Sequence, residues 1–172
     1  MPYGTNAVII EAYANVNVDE APHTDKKHHL GFAVHDDQGR RYRYAQFGDA
    51  VEQYDAVAMT VGADPFDDVV VVTDLKVTVL GVYFNETAAA QDDYGWIIDE
   101  GVVIVKTSSV TAATSIALGA SATDGTLTDI SATDQDPTQD ELDRMIATST
   151  KGIKALTDTD TPVTGTSYAV LF

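Results

Sequence analysis

The spacing of apolar and polar positions along this chain predicts a protein made mainly of β-strands. Short runs rich in Val, Ile, Tyr and Phe are separated by clusters of Gly, Asp, Asn and Thr, a pattern typical of strands joined by turns. The runs that we predict as strands span residues 6–12, 30–35, 41–47, 69–72, 77–80, 94–98, 102–105 and 166–172. The apolar end of the last run indicates that the C-terminus is tied into the sheet.

Turn residues between these runs predict how neighbouring strands pair. Residues 36–39 read Asp-Asp-Gln-Gly and separate the runs 30–35 and 41–47, so we expect a β-hairpin there. Residues 69–84 are the most β-prone part of the chain. Because polar residues 73–76 interrupt the apolar run, this part holds either two strands or one long bent strand.

A second tight hairpin is predicted around Gly101, which lies between the runs 94–98 and 102–105. Farther along, residues 107–119 are rich in Thr, Ser and Ala, and apolar positions are sparse. The sequence Thr-Asp-Gly-Thr at 123–126 is typical of a turn. This part of the chain therefore predicts short strands joined by exposed turns.

The run at 41–44 predicts a strand with two different faces. Successive side chains of a β-strand point to opposite sides of the sheet. Arg41 and Arg43 therefore share one face, and Tyr42 and Tyr44 share the other. One face of this strand is cationic and the other is aromatic.

One short helix is predicted at 137–148. Asp136 is a favourable N-cap, Pro137 suits the first helical position, and Gln139 follows three residues after the cap. Apolar residues recur at helical spacing at Leu142, Met145 and Ile146. We divide the chain into an extended N-terminal arm, residues 1–29, and a β-rich body, residues 30–172, with a helical insertion at about 131–150.

The chain is strongly acidic, with a formal net charge of −17 at pH 7. Such a surface repels nucleic acid and keeps copies of the protein apart; a saline environment is an alternative cause of the acidity. Residues 1–43 hold six acids and five bases, a net of −1, and the rest hold 21 acids and five bases, a net of −16. The first quarter can therefore approach an acidic partner that the rest would repel.

The chain contains no cysteine, which excludes disulfides, thiolate metal sites and a cysteine nucleophile. Its first residues lack the basic and apolar regions of a signal peptide. No apolar run approaches the ~20 residues that a membrane-spanning helix needs. We therefore expect synthesis in the cytoplasm and no membrane partner.

The residues that could bind a metal or act in catalysis all have ordinary structural interpretations. Four histidines lie in the first quarter, His23, His28, His29 and His35. Their spacing matches no metal-binding motif, so we interpret them as part of a polar arm and not as metal ligands. The acidic pairs at 67–68, 92–93 and 134–136 lack the Gly and terminal Glu of a calcium loop. Because nucleophile and phosphate-loop motifs are absent too, we predict that the protein is not an enzyme and has no catalytic residue, cofactor or metal.

Aromatic side chains allow two interpretations. They could form the sugar-binding platform of a carbohydrate-binding module, but a β-barrel or β-sandwich of this size also needs large rings in its core, and we prefer the core. The seven rings concerned are Tyr42, Tyr44, Phe47, Tyr83, Phe84, Tyr94 and Trp96. Tyr94 and Trp96 are assigned to the core.

Five segments together resemble a known family. They are His-Leu-Gly-Phe at 29–32, Asp-Gln-Gly-Arg-Arg-Tyr-Arg-Tyr-Ala at 37–45, Leu-Gly-Val at 80–82, Tyr-Gly-Trp-Ile at 94–97 and Thr-Asp-Gly-Thr-Leu at 123–127. In this order they resemble small head proteins of tailed bacteriophages known as capsid decoration, or cement, proteins. The acidic loop at 64–68 and the helical segment from Asp136 depart from that pattern, which leaves a related minor head or spike component open.

The resemblance implies an antiparallel β-barrel or β-sandwich, frequently trimeric, bound to the outer surface of the capsid. The expected partner is the major capsid protein, and the expected location is the virion. As a hypothesis, a basic surface binds acidic capsid and bridges neighbouring subunits; its residues are Lys26, Lys27, Arg40, Arg41 and Arg43. A carbohydrate-binding or adhesion module of a virion or cell surface is the alternative, and a salt-adapted major capsid or tail-tube subunit is the third.

Overall fold

A computed structural model describes residues 16–60, 66–74, 78–110, 118–129, 153–155 and 163–171. Within these ranges the chain is mainly antiparallel β-sheet and contains no helix. This confirms the predicted β-rich class. The strand predicted at 6–12 and the helix predicted at 137–148 lie outside the described residues. Accordingly, no helix within the described ranges has the length and apolar character that crossing a membrane requires.

Ten strands lie in the described part of the chain. They are β1 (Ala33–His35), β2 (Arg41–Gln46), β3 (Ala56–Met59), β4 (Val69–Val71), β5 (Val79–Tyr83), β6 (Tyr94–Val110), β7 (Leu118–Ala120), β8 (Leu127–Asp129), β9 (Ile153–Ala155) and β10 (Val163–Leu171). The main path through the sheet is β1-β2-β6-β5-β3-β4. β6 is the central strand, because it pairs antiparallel with β2, β5 and β10 and parallel with β8.

Several predicted connections are confirmed. β1 and β2 form an antiparallel hairpin in which Val34 lies opposite Tyr42. The region 69–84 holds two strands rather than one, since β4 and β5 pair with opposite sides of β3. β7 and β8 pair around the turn at 123–126, and β10 is a long final strand.

The hairpin predicted at Gly101 is wrong, because β6 runs through this position without turning back. Residues before Gly101 pair with β2, and residues from Gly101 onward pair with β10. Gly101 has a φ of 103°, and a Cβ at this position would lie 2.9 Å from the Cα of Arg40. Glycine is required here by close approach of the β1–β2 turn and by its backbone conformation, not by a reversal of the chain.

Alternation along the strands places apolar side chains in two buried clusters, one on each face of the sheet. Tyr44 and Trp96 belong to the first cluster, together with Val103 and Val105 in the second half of β6. The second cluster contains Ala45, Phe47, Val51, Val57, Val69, Tyr83, Ala89 and Ile97. Because both faces of β2 and β6 are partly covered, charged side chains on these strands lie beside buried apolar surface.

Residues 16–29, hereafter the N-terminal segment, lie against this body. Val18 is buried in the first cluster. The side-chain Nδ2 of Asn85 donates hydrogen bonds to the backbone carbonyl oxygens of Asp19, at 3.1 Å, and Glu20, at 3.0 Å. His23 forms a backbone bridge with Tyr94 at the start of β6. The described half of the predicted arm is thus anchored by burial, side-chain bonds and backbone bonds.

Candidate functional site

The candidate site is a group of charged side chains on β2 and β6, hereafter the arginine cluster: Arg41, Arg43, Asp99 and Glu100. Arg41 and Arg43 lie two residues apart on β2 and therefore share a face. β6 pairs antiparallel with β2, and its register shifts between Arg41 and Tyr42. This pairing places Asp99 within reach of both arginines, although it lies more than fifty positions away in the sequence.

Asp99 is the centre of the cluster. Arg41 donates to both of its oxygens, from Nε to Oδ1 at 2.8 Å and from Nη2 to Oδ2 at 2.9 Å. Arg43 Nε donates to Oδ2 at 2.7 Å, and Arg41 Nη1 lies 2.7 Å from Glu100 Oε2. The hydrogen bond to Asp99 raises the pKa of Arg41 above its ordinary value. Charge-assisted contacts of this kind hold both guanidinium planes in a defined orientation.

Arg43 is also held from its other side. Its Nη1 donates to the carbonyl oxygen of Gly31 at 3.1 Å, and its Cζ lies 5.1 Å from the centre of the Phe66 ring. The side chain of Asp99 is 4% exposed, whereas those of Arg41 and Arg43 are 26% and 27% exposed. These bonds use only some of the N–H donors of two guanidinium groups. The cluster therefore presents oriented, partly exposed donors that can bind carboxylate groups.

Arg40 lies outside the arginine cluster, in the interior of the β1–β2 hairpin. Its side chain is 8% exposed, and its Nε donates to Asp36 Oδ2 at 2.6 Å. The hydroxyl of Tyr42 donates to the same oxygen at 3.0 Å. Burial alone would raise the pKa of Asp36, but the hydrogen bonds from Arg40 and Tyr42 outweigh it and hold that pKa below its ordinary value. Arg40 thus neutralises a buried carboxylate inside the hairpin and is not part of a surface.

Lys26 and Lys27 lie on the N-terminal segment and are exposed. Lys27 pairs with Glu20, and its backbone N–H donates to the hydroxyl of Tyr44 at 3.0 Å. Tyr44 points to the opposite face of β2 from Arg41 and Arg43. The structure therefore does not bring the five predicted bases together: Arg41 and Arg43 lie on one face of β2, Lys27 is held at Tyr44 on the other face, and Arg40 is buried.

Lys106, on the second half of β6, also forms ion pairs. Its Nζ lies 2.7 Å from Asp55 Oδ1 and 2.9 Å from Glu52 Oε2. Burial raises the pKa of Asp55, and the bond from Lys106 opposes that shift. This group joins β6 to the loop before β3, and its role is structural.

The aromatic residues that could have formed a sugar-binding platform lie mostly in the interior. Six of them are at most 3% exposed: Tyr42, Tyr44, Phe47, Tyr83, Phe84 and Trp96. Tyr94 is half-buried and packs against the first cluster. The Tyr44 and Trp96 rings are 5.2 Å apart in an edge arrangement typical of cores. These rings are not arranged as a flat exposed platform.

Histidine and acidic groups were candidates for a metal site. Within the described ranges, no three His, Asp or Glu side chains lie close enough together to hold a metal ion. The acidic pair at 134–136 lies outside those ranges. Asp93 instead accepts a hydrogen bond from the backbone N–H of Ala90 at 2.9 Å, as a turn residue does.

The sequence interpretation missed Asp99 and Glu100. A signal for them exists, because they interrupt an otherwise apolar run that reads Trp-Ile-Ile-Asp-Glu-Gly-Val-Val-Ile-Val. A charged residue inside a buried strand needs a partner of opposite charge. That rule predicts a basic partner for Asp99, although it does not say which base.

Comparison of this chain with protein-family models, with curated proteins and with solved structures finds no match.

Proposed function

We propose that this protein is a structural component of a virion, a decoration protein that binds the outer surface of a phage capsid and stabilises it by bridging neighbouring capsid subunits. The observation that carries the proposal is the arginine cluster, in which Asp99 orients two partly exposed guanidinium groups. The resemblance of the five sequence segments to decoration proteins supplies the class of partner.

Oriented arginines suit a protein-binding surface for a physical reason. Association costs free energy when flexible side chains become fixed, and Arg41 and Arg43 are already fixed by Asp99, Gly31 and Phe66. Arginine is also enriched among the residues that dominate binding energy at protein interfaces. Carboxylates of an acidic capsid surface are the natural acceptors for the donors that remain.

The location of the exposed lysines supports bridging. Lys27 bonds through its backbone to Tyr44, on the face of β2 opposite the arginine cluster, so one copy offers two separate surfaces that carry cationic side chains. Contact at one surface raises the effective concentration at the other, and the gain accumulates over a shell with many copies. The net charge of −16 after residue 43 keeps the rest of the protein away from acidic partners.

The proposal includes a β-barrel body and a homotrimer, as in the family that the chain resembles. Backbone bonds favour a barrel over a sandwich for the first half of the body. The N–H of Gln46 donates to the carbonyl oxygen of Phe66 at 2.9 Å, and the N–H of Gly48 donates to that of Val69 at 2.9 Å. These bonds link the end of β2 to β4, the last strand of the main path.

The arginine cluster is tested by a variant that removes it without stranding a buried charge. In Arg41→Gln/Arg43→Gln/Asp99→Asn, both guanidinium groups and their shared carboxylate become neutral. We expect at least about a tenfold loss of affinity for capsids, since hydrogen bonds to charged groups contribute roughly 1.5–3 kcal/mol each, and a weaker dependence of binding on salt. The measurement is co-sedimentation of tagged protein with capsids from virions that carry it, stripped of the native copies.

The matched control is Lys26→Gln/Lys27→Gln. It changes the net charge by two units, whereas the triple variant changes it by one, so an effect of net charge alone would be larger in the control. We expect a loss of only about threefold, because exposed ion pairs contribute little. Wild-type occupancy by the triple variant would refute the role of the cluster, and failure of the native protein to bind any capsid would refute the proposed function.

A further inference from the structure

The group formed by Lys106, Asp55 and Glu52 brings an amine against a buried carboxyl group. Asp55 directly precedes β3, and its side chain is 8% exposed. Lys106 Nζ lies 2.7 Å from Asp55 Oδ1 and 2.9 Å from Glu52 Oε2. Asp55 Oδ2 accepts the backbone N–H of Glu52 at 2.8 Å. An amine, a buried carboxyl group and a second carboxylate that can carry protons therefore meet at one point of the fold.

Backbone bonds hold the amine and the buried carboxyl group in place. The N–H of Lys106 donates to the carbonyl oxygen of Tyr54 at 2.8 Å, so the residue before Asp55 is bonded to the strand that carries the lysine. The N–H of Tyr83 donates to the carbonyl oxygen of Asp55 at 2.9 Å. Reactants that are held in the right orientation within one molecule behave as if at roughly 10⁵–10⁸ M. The fold therefore supplies the proximity that a reaction between the two side chains needs.

The turn between β7 and β8 covers the carboxyl group of Asp55. A Cβ at Gly125 would lie 2.6 Å from Cγ of Asp55, so the glycine backbone is in direct contact with this group. The N–H of Gly125 donates to the carbonyl oxygen of Val72 at 2.8 Å, which holds the turn in place. Burial raises the pKa of Asp55 and so favours the acid form. Because amide formation releases water, exclusion of water from this side favours the amide and protects it from hydrolysis.

We propose that Lys106 and Asp55 become joined by an intramolecular amide bond, and that Glu52 transfers the protons. A bond forms between Nζ of the lysine and Cγ of the aspartate, and the bond between Cγ and Oδ1 breaks. Of the three hydrogens of the ammonium group, one remains on Nζ and two leave with Oδ1 as water. No atom is oxidised or reduced, and the net charge of the protein stays the same. The bond forms once in each chain, so it is a modification and not turnover of a substrate.

The protonation states define the part that Glu52 plays. Burial opposes the charge on Lys106, but the hydrogen bonds to Asp55 and Glu52 outweigh it and raise the pKa of the lysine. The amine is therefore protonated before the reaction. The hydrogen bond from Lys106 lowers the pKa of Glu52, so that side chain is a carboxylate and can take a proton from Nζ.

The remaining steps use contacts that are already in place. The lone pair freed on Nζ attacks Cγ of Asp55, and negative charge develops on Oδ2. The backbone N–H of Glu52 donates to that oxygen and stabilises the charge. The Glu52 carboxyl group then passes its proton to Oδ1, the oxygen that leaves. Glu52 ends in the state in which it began.

The cross-link would constrain a large part of the chain. Lys106 and Asp55 are separated by 51 positions, and a covalent bond between them closes that loop in the unfolded chain as well. Such a constraint stabilises a fold in the way that a disulfide does. The chain contains no cysteine, so an amide bond gives it a covalent constraint that does not depend on redox conditions.

Mass spectrometry of the intact, denatured protein tests the proposal. We expect the wild-type protein to be lighter than its sequence by the mass of one water molecule, and a protease digest to contain a branched peptide that joins residues 55 and 106. The mass of Lys106→Arg should equal that of its sequence, because a guanidinium group keeps its proton and is not a nucleophile. A wild-type mass equal to that of the sequence, or a lost water located elsewhere in the chain, would overturn the proposal and leave an ion pair only.

Two further variants separate the cross-link from general effects of charge. Lys27→Arg is the matched control, since Lys27 also pairs with a glutamate, Glu20, and lies outside the group; the loss of one water should remain. In Glu52→Gln the proton acceptor is removed and the backbone N–H is kept. In pulse-labelled protein followed after synthesis, this variant should form the bond at least about a hundredfold more slowly. Formation at the wild-type rate would overturn the assignment of proton transfer to Glu52. Because no capsid is present, these results do not depend on the proposed function.

Discussion

A Gly101→Ala variant is expected to lose about 2 to 4 kcal/mol of unfolding free energy, a large part of the stability of a domain of this size. Alanine at a φ of 103° is strained, at a cost of roughly 1–3 kcal/mol. The new Cβ would also lie 2.9 Å from both Cα and Cγ of Arg40. Since one of these atoms is backbone, the β1–β2 turn must shift away from β6. Urea unfolding measures the loss.

Gly39→Ala is the matched control, because Gly39 also has a positive φ, 78°, and lies in the β1–β2 turn, next to Arg40. A Cβ at position 39 meets no atom within 4 Å, so only the backbone strain of about 1 kcal/mol applies. Because alanine is more strained at a φ of 103° than at 78°, the difference between the two variants reports the contact with Arg40 together with the additional backbone strain at Gly101. Equal losses would show that the close approach at Gly101 contributes nothing to stability.

Gly101 also shows where prediction of the fold from sequence ends. A glycine between two apolar runs predicts a turn, and for the β1–β2 hairpin the same reasoning, applied to residues 36–39, is confirmed. The two cases differ in what approaches the glycine. At Gly101 the backbone of Arg40 comes close, and only the pairing of β2 with β6 brings it there. Local sequence carries no information about that long-range contact.

Two strands were not predicted because their residues have little preference for the strand conformation. β3 has the sequence Ala-Val-Ala-Met, and β9 has the sequence Ile-Lys-Ala. Alanine has no preference for strands, and each strand is too short for its alternation to be recognised. β3 is a strand because both of its edges are paired, with β4 and with β5. Its conformation is set by neighbours and not by propensity.

The candidate site was predictable in part. Alternation along residues 41–44 places Arg41 and Arg43 on one face, and the structure has them there, bound to the same carboxylate. The sequence interpretation treated Arg40 as a member of the same basic surface. In the structure Arg40 lies in the turn, and its partner is Asp36, four residues earlier. Alternation, continued by one residue, places Arg40 on the side of Tyr42 and not of Arg41, and both Arg40 and Tyr42 indeed donate to Asp36.

An Asp99→Asn variant is expected to lose about 2 to 3 kcal/mol of unfolding free energy. The side chain of Asp99 is 4% exposed, and its charge balances two guanidinium groups. Removing one partner of a buried ion pair costs roughly 3–5 kcal/mol. We discount that figure because Arg41 and Arg43 are each about a quarter exposed and water screens their repulsion. Chemical denaturation, with the slope m compared between variants, gives the value.

Glu100→Gln is the control for this prediction, since Glu100 is next in the chain and contacts the same Arg41. Its side chain is 42% exposed, so its loss should cost less than about 1 kcal/mol. If the two variants lose equal stability, Asp99 does not organise the cluster.

A mutant cycle distinguishes a shared carboxylate from two independent contacts. If Asp99 holds both arginines, Asp99→Asn should cost little in a protein that already carries Arg41→Gln and Arg43→Gln, because no guanidinium group is left without its partner. If its main role is packing against the apolar residues of β6, the cost should be the same in both backgrounds. The first outcome would show that one buried side chain, Asp99, orients the donors of both arginines. Any loss of capsid binding in the triple variant would then come from loss of the arginine cluster and not from loss of the fold.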